Sequence, residues 1–231
     1  MPRILYIETA TQVCSVSISH NGTLVAIRES SIANSHSEML STFIGEIMNE
    51  TNLELKDLDA IAVSMGPGSY TGLRIGVSSA KGLCYSLEKP LIAVSTLQSM
   101  ANGMSNLISD DKAILCPMID ARRMEVYASL FNVKNEELRE IKAEIIDENS
   151  FNEYLNSHPV YFAGDGAEKC KEILSVHQNA KFIDEFVISS KDMIEIAISK
   201  FAKKDFVDLA YFEPFYLKDF IADPSRVKGL K

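Results

Sequence analysis

The stretch with the clearest chemical suggestion is Gly66-Pro-Gly-Ser69, a glycine-rich turn between an apolar run over 60–65 and a segment of helical period. Backbone N–H groups at a helix start attract anions, so Gly66, Gly68 and Ser69 form a candidate anion or nucleotide loop. Three sharper motifs are absent. A P-loop needs Gly-x4-Gly-Lys-Ser/Thr, and no glycine stands at that spacing before a Lys-Ser or Lys-Thr pair. A dinucleotide fingerprint needs glycine where Thr71 stands, and a nucleophile elbow on Ser69 needs glycine where Pro67 and Thr71 stand. His20, His36, His158 and His177 are scattered and read as surface or capping residues. Cys14, Cys84, Cys116 and Cys170 lie far apart with no Cys-x-x-Cys, and read as small reduced hydrophobes.

The elements around the turn follow from periodicity. Residues 3–8 are apolar on both faces, as in a buried strand. Residues 13–19 alternate, Asn21-Gly22 marks a hairpin, and 24–29 return as a third strand. A helix is predicted over 35–50, with Ser35 and Glu38 as a capping pair. Its apolar arc of Met39, Leu40, Phe43, Ile44, Ile47 and Met48 is wide enough for a core face or a partner face. From Tyr70 a second helix carries Leu73, Val77, Ala80, Cys84 and Leu87 on one face. Beside them runs a stripe of mostly small residues, Gly72, Gly76, Ser79 and Leu83. Glycine inside a helix costs about 0.5–1 kcal/mol relative to Ala, so something packs too closely there for a Cβ. Contact with the protein's own sheet is the simpler explanation.

Three strands, a helix, a strand, a helix and a strand make one ribonuclease-H-like unit of mixed sheet and helices. A polar segment over 102–111 then leads to a second series. Strands are predicted over 113–119 and 125–132, joined at Asp120-Ala-Arg-Arg123, which reads as a turn with charged tips. A third strand is the first reading over 137–146, where many Glu and Lys residues leave a helix possible; then come a helix over 149–157, a strand over 160–163, a helix opening at Gly164-Asp-Gly166, and an amphipathic helix over 190–204. The division expected is 1–103 and a smaller half, 104–231. Net charge is −9, which argues against this chain as the main grip on a nucleic acid. No signal peptide or membrane span is evident, so a cytoplasmic location is expected. Arg226, Lys228 and Lys231 near the end hint at an anionic partner.

Gly66-Pro-Gly-Ser-Tyr-Thr-Gly-Leu-Arg-Ile-Gly76, with Ala80-Lys-Gly-Leu83, resembles the signature of the TsaB (YeaZ) family. Ile7-Glu-Thr-Ala-Thr11, His36-Ser-Glu38 and the stretch from Ile119 to Tyr127 agree with it. The resemblance is strong over about the first 130 residues and weaker beyond. It implies the α/β ASKHA (actin/Hsp70-like) fold, with two ribonuclease-H-like halves. It also implies a non-catalytic partner of TsaD in making N6-threonylcarbamoyladenosine at position 37 of tRNA. TsaE would join the assembly, and tRNA would be met only through the complex.

The same resemblance gives expectations for single residues. TsaD carries a His-x-x-x-His metal pair on the equivalent helix, whereas here His36 is followed by Leu40. No metal and no cofactor of its own is therefore expected, with ATP and metal left to the partner subunits. Glu8 and Thr9 stand where the superfamily positions a metal–nucleotide. Gly164 and Gly166 flank Asp165, whose carboxylate repels phosphates. The resemblance raises a partner helix as the neighbour of Gly72, Gly76, Ser79 and Leu83, with Met39, Leu40, Phe43 and Ile47 on the other helix. Two alternatives stay open. One is an ASKHA-type ATP-dependent transferase or M22-like peptidase active alone, and the other is a self-associating homodimer.

Overall fold

A computed structural model describes residues 1–32 and 36–218. Strands β1 (Arg3–Glu8), β2 (Cys14–His20), β3 (Thr23–Ser30), β4 (Ala60–Gly66) and β5 (Leu91–Ser95) form one sheet in the order β3-β2-β1-β4-β5. β1 to β3 are an antiparallel meander, and β4 and β5 add in parallel. The hairpin turns at Asn21 and Gly22, both with positive φ, as the Asn-Gly signal requires. Helices α1 (His36–Thr51) and α2 (Tyr70–Leu87) cover one face.

The second sheet repeats this plan. Strands β6 (Ile114–Asp120), β7 (Glu125–Asn132), β8 (Glu137–Ile145), β9 (Val160–Ala163) and β10 (Ala180–Phe182) take the order β10-β9-β6-β7-β8. β6 to β8 are antiparallel, and β9 and β10 are parallel to β6. Helices α4 (Asn152–Leu155) and α5 (Asp165–Leu174) cover it as α1 and α2 cover the first. The chain is thus α/β with two ribonuclease-H-like halves. The turn into α2 holds Gly66 at φ 113°, and the turn into α5 holds Gly164 at φ 100°. Only glycine adopts such angles without strain.

Alternation along β1 explains why it is apolar throughout. Leu5 and Ile7 pack toward α1 and α2, while Ile4 and Tyr6 pack on the other face against Met193, Ile194 and Ala197. Two helices join the halves crosswise. Helix α3 (Thr96–Ser105) follows β5 yet packs Leu97, Met100, Ala101 and Met104 on Leu115, Ile119 and Phe131 of the second sheet. The segment after β10 returns to the first half as a 3-10 turn (Ser190–Met193) and α6 (Ile194–Lys203). A division at 103/104 therefore falls inside α3, and the residues from Ser190 lie on the first sheet, because each sheet needs its second face covered.

The capping pair proposed for α1 includes Ser35, which lies outside the described residues, as do Arg226, Lys228 and Lys231. The four cysteines are free and buried. Among the described residues no helix is long and apolar enough to cross a membrane.

Candidate functional site

The chemically suggestive residues meet where β1 ends. Glu8 closes β1, is fully buried, and accepts hydrogen bonds at Oε1 from the Ala10 N–H (2.6 Å) and the Ser64 hydroxyl (2.9 Å). Its Oε2 is buried without a hydrogen-bond partner among the described residues. Burial pushes its carboxyl up to about 7, and Asp192 nearby adds to the rise. Asp192 itself is pushed up to about 7, again chiefly by burial. Sequence reading passed over Asp192 as one polar residue of an amphipathic helix. Ser189-Ser190 ahead of it was the available signal, because Ser189 caps the turn that aims Asp192 inward.

The Gly66–Ser69 turn packs over this point, and the Gly66 and Ser69 amides are donated within the chain. Gly66 N–H bonds the Thr96 hydroxyl (3.1 Å), Ser69 N–H bonds the Ala10 carbonyl (2.6 Å), and the Ser69 hydroxyl caps Gly72 N–H (3.3 Å). A Cβ on Gly68 would strike the Ala10 carbonyl, and one on Gly66 would lie 2.5 Å from the Phe215 carbonyl. At the expected anion loop the turn is built as a packing junction between the end of β1 and the carboxy-terminal segment, with the Gly66 and Ser69 donors bonded inside the chain.

The small-residue stripe divides in two. A Cβ on Gly72 would lie 2.1 Å from the Thr9 carbonyl oxygen, and one on Gly76 would lie 2.2 Å from Thr9 Oγ1. Thr9 Oγ1 in turn donates to the Gly72 carbonyl at 2.8 Å. Gly72 and Gly76 are thus not available to a partner helix; they let α2 close on β1 of the same chain. Leu40 and Ile47, on α1, are likewise buried in the core of this chain. Met39, Phe43, Ser79 and Leu83 remain half-buried at the rim of the α1–α2 face. Two glycines that the sequence reading did not single out, Gly45 and Gly82, have nothing within 4 Å of where a Cβ would sit.

His36 is buried, contrary to a surface or capping role, and its Nε2 lies 3.2 Å from the Val13 carbonyl. It ties the start of α1 to the first sheet. Buried Leu40 occupies the position where a second imidazole would complete a pair.

A cavity of about 320 Å³ lies between the halves, with Gln12 and Val13 on one side and Phe162, Phe182 and Ile188 on the other. Its charged lining is acidic throughout: Asp165, Glu168, Asp184 and Glu185. At the start of α5 the Asp165 carboxylate accepts the Asp120 N–H (2.9 Å). Gly164 and Gly166 press against the backbone at Met118 and Ile119. These residues do not fit a nucleotide polyphosphate, since carboxylates stand where its phosphates would need donors.

Comparison with known proteins agrees with this architecture. The family model described as TsaD, tRNA N6-adenosine threonylcarbamoyltransferase, matches residues 28–223. The tRNA threonylcarbamoyladenosine biosynthesis protein TsaB of Escherichia coli is 32% identical over 229 residues, covering 95% of this chain and 96% of that one. TsaB of Haemophilus influenzae is 28% identical over 226 residues, covering 94% and 93%. The structure of YeaZ from Pseudomonas aeruginosa superposes with a TM-score of 0.82 at 24% identity, over 94% of this chain and all of that one, and so shares its fold. With a relative this similar along nearly its whole length, the chain belongs to the TsaB (YeaZ) family of tRNA threonylcarbamoyladenosine biosynthesis proteins.

Proposed function

We propose that this chain is a non-catalytic subunit in the synthesis of N6-threonylcarbamoyladenosine at position 37 of tRNA, working by binding and orienting TsaD. The observation that carries the reading is the outer face of α1 and α2. Gly45 and Gly82 are exposed mid-helix glycines with nothing among the described residues within 4 Å of where a Cβ would sit. Each costs its helix up to about 1 kcal/mol relative to Ala. Half-exposed Met39, Phe43, Ser79 and Leu83 lie on the same two helices. A partner's helices packed on that face would give the missing Cβ atoms a reason. The single histidine at the start of α1, held on a backbone carbonyl, supports leaving metal and ATP chemistry to other subunits. On this reading the chain has no cofactor of its own, works in the cytoplasm with TsaD and TsaE, and meets tRNA only within the complex.

The same open glycines favour one second reading, in which the isolated protein pairs with another copy of itself and TsaD displaces that copy. Reconstitution tests the main reading: TsaD, TsaE and a supply of threonylcarbamoyl-AMP are combined with tRNA, with and without this chain. Modification should depend on the chain and should fall in a Gly45→Leu/Gly82→Leu variant that melts normally. Modification that proceeds equally well without the chain refutes the reading.

A further inference from the structure

The β6–β7 turn presents two arginines that the docking role leaves unexplained. Arg122 (φ 71°) and Arg123 (φ 54°) are consecutive non-glycine residues in the left-handed region. Such residues are uncommon and are held only where their surroundings over-determine them. Here the turn is clamped. Lys169 donates to the Arg123 carbonyl (2.8 Å) and the Glu125 carbonyl (2.6 Å), and it pairs with the Asp120 carboxylate. Asp120 Oδ1 also accepts the Arg122 N–H at 2.8 Å. The clamp engages the backbone and leaves both arginine side chains exposed. Among the described residues neither forms an ion pair, although the chain carries a net charge of −9.

These arginines continue into a line of cations and tyrosines. Lys218, at the end of the described chain, pairs with Glu125 beside the turn. Two residues back, Tyr216 packs on Tyr70 of α2 with ring centroids 4.9 Å apart. Arg74 lies over the Tyr70 ring at 5.4 Å. A cavity of about 300 Å³ opens beside them between Arg74, Ser78 and Tyr216. Asp120 and Glu125 are paired with Lys169 and Lys218, and Arg74, Arg122 and Arg123 are exposed; Glu213 lines the cavity beside Arg74, and Asp165 lies against Asp120 below the turn. Arginines interleaved with aromatic faces match an RNA backbone with unstacked bases better than an acidic protein, which offers nothing for tyrosine rings to stack on.

We propose that Arg122 and Arg123, with Arg74 and the Tyr70–Tyr216 pair, form an RNA-contacting strip that touches the tRNA backbone once the complex holds it. This rests on the function proposed above. Two phosphate contacts are too few to bind RNA alone against a net charge of −9, but they add to a complex that already grips it.

The test is tRNA binding by the assembled complex of this chain with TsaD over a range of salt, comparing wild type with Arg122→Asn/Arg123→Gly. Asn and Gly both tolerate positive φ, so the turn should survive and the melting temperature should hold. Loss of two contacts should weaken binding several-fold and flatten the slope of log affinity against log salt by about 1.4–1.8. Lys134→Ala, at the far end of β7, should change neither. An unchanged slope in the double variant overturns the proposal. Lost co-elution with TsaD overturns it too, by assigning the arginines to a protein partner. If wild type itself does not assemble with TsaD, the docking reading fails. The strip falls with it, whereas an unchanged slope in an assembled double variant overturns the strip alone.

Discussion

Replacing the four glycines of α1 and α2 by alanine, one at a time, tests the division between inward and outward surfaces. In Gly76→Ala the new Cβ would lie 2.2 Å from Thr9 Oγ1, so the threonine must rotate. Rotation gives up its hydrogen bond to the Gly72 carbonyl, in a side chain with no exposure to solvent. That bond contributes about 0.5–1.5 kcal/mol. Overpacking adds about 1–3 kcal/mol, and the helix gains back about 1 kcal/mol from alanine. The net loss is about 0.5–3.5 kcal/mol, which lowers the melting temperature of a chain this size by about 1–14 °C. Gly72→Ala should be worse, since its Cβ meets the Thr9 backbone oxygen, which cannot rotate away. Gly45→Ala and Gly82→Ala meet nothing within 4 Å. They should raise the melting temperature by about 2–4 °C through helix propensity alone. Thermal unfolding and co-elution with TsaD, measured on the same preparations, separate the pairs. The inward pair should lose stability while the folded fraction still binds, and leucine at the outward pair should lose binding while stability holds. A Gly76→Ala protein that melts at or above wild type refutes the reasoning.

Two further predictions concern ionisable groups. Glu8 ionises at about 7 when folded against an ordinary value of 4.5, so the unfolded chain releases its proton first as pH rises. Folding stability from this group is therefore complete below pH 4.5 and lost as pH rises toward 7, by about 3 kcal/mol in all. Chemical denaturation across that window should show a decline that Glu8→Gln reduces, the remainder belonging to Asp192; an identical pH profile in the variant would show that Glu8 does not contribute. The isolated chain should hydrolyse neither ATP nor peptides above background, because His36 is held on the Val13 carbonyl and buried Leu40 takes the next turn. Metal-dependent turnover that vanishes in His36→Ala would overturn that expectation.

Much of the fold was legible in the sequence because strand and helix periods are local. The meander of β1 to β3, the Asn21-Gly22 turn and the helix from Tyr70 each follow from neighbours a few residues apart. The glycine signature also announced a close approach, since glycine in a helix is explained only by what lies against it. The identity of that neighbour was beyond local information. Thr9 lies more than sixty residues away from Gly72 and Gly76, and β1 and α2 meet only once β4 has paired in parallel beside β1. The same limit hid Gly45 and Gly82, whose meaning is an empty space. It hid β10, too short to show a period, and the crosswise packing of α3 and α6. Asp192 was unreadable for a related reason: one acidic residue beside a helix looks solvated until tertiary structure buries it near Glu8. The sequence by itself determined which elements form and that α2 must pack tightly. Tertiary structure alone decided what α2 packs against and which glycines remain facing outward, because both depend on contacts between residues far apart in the chain.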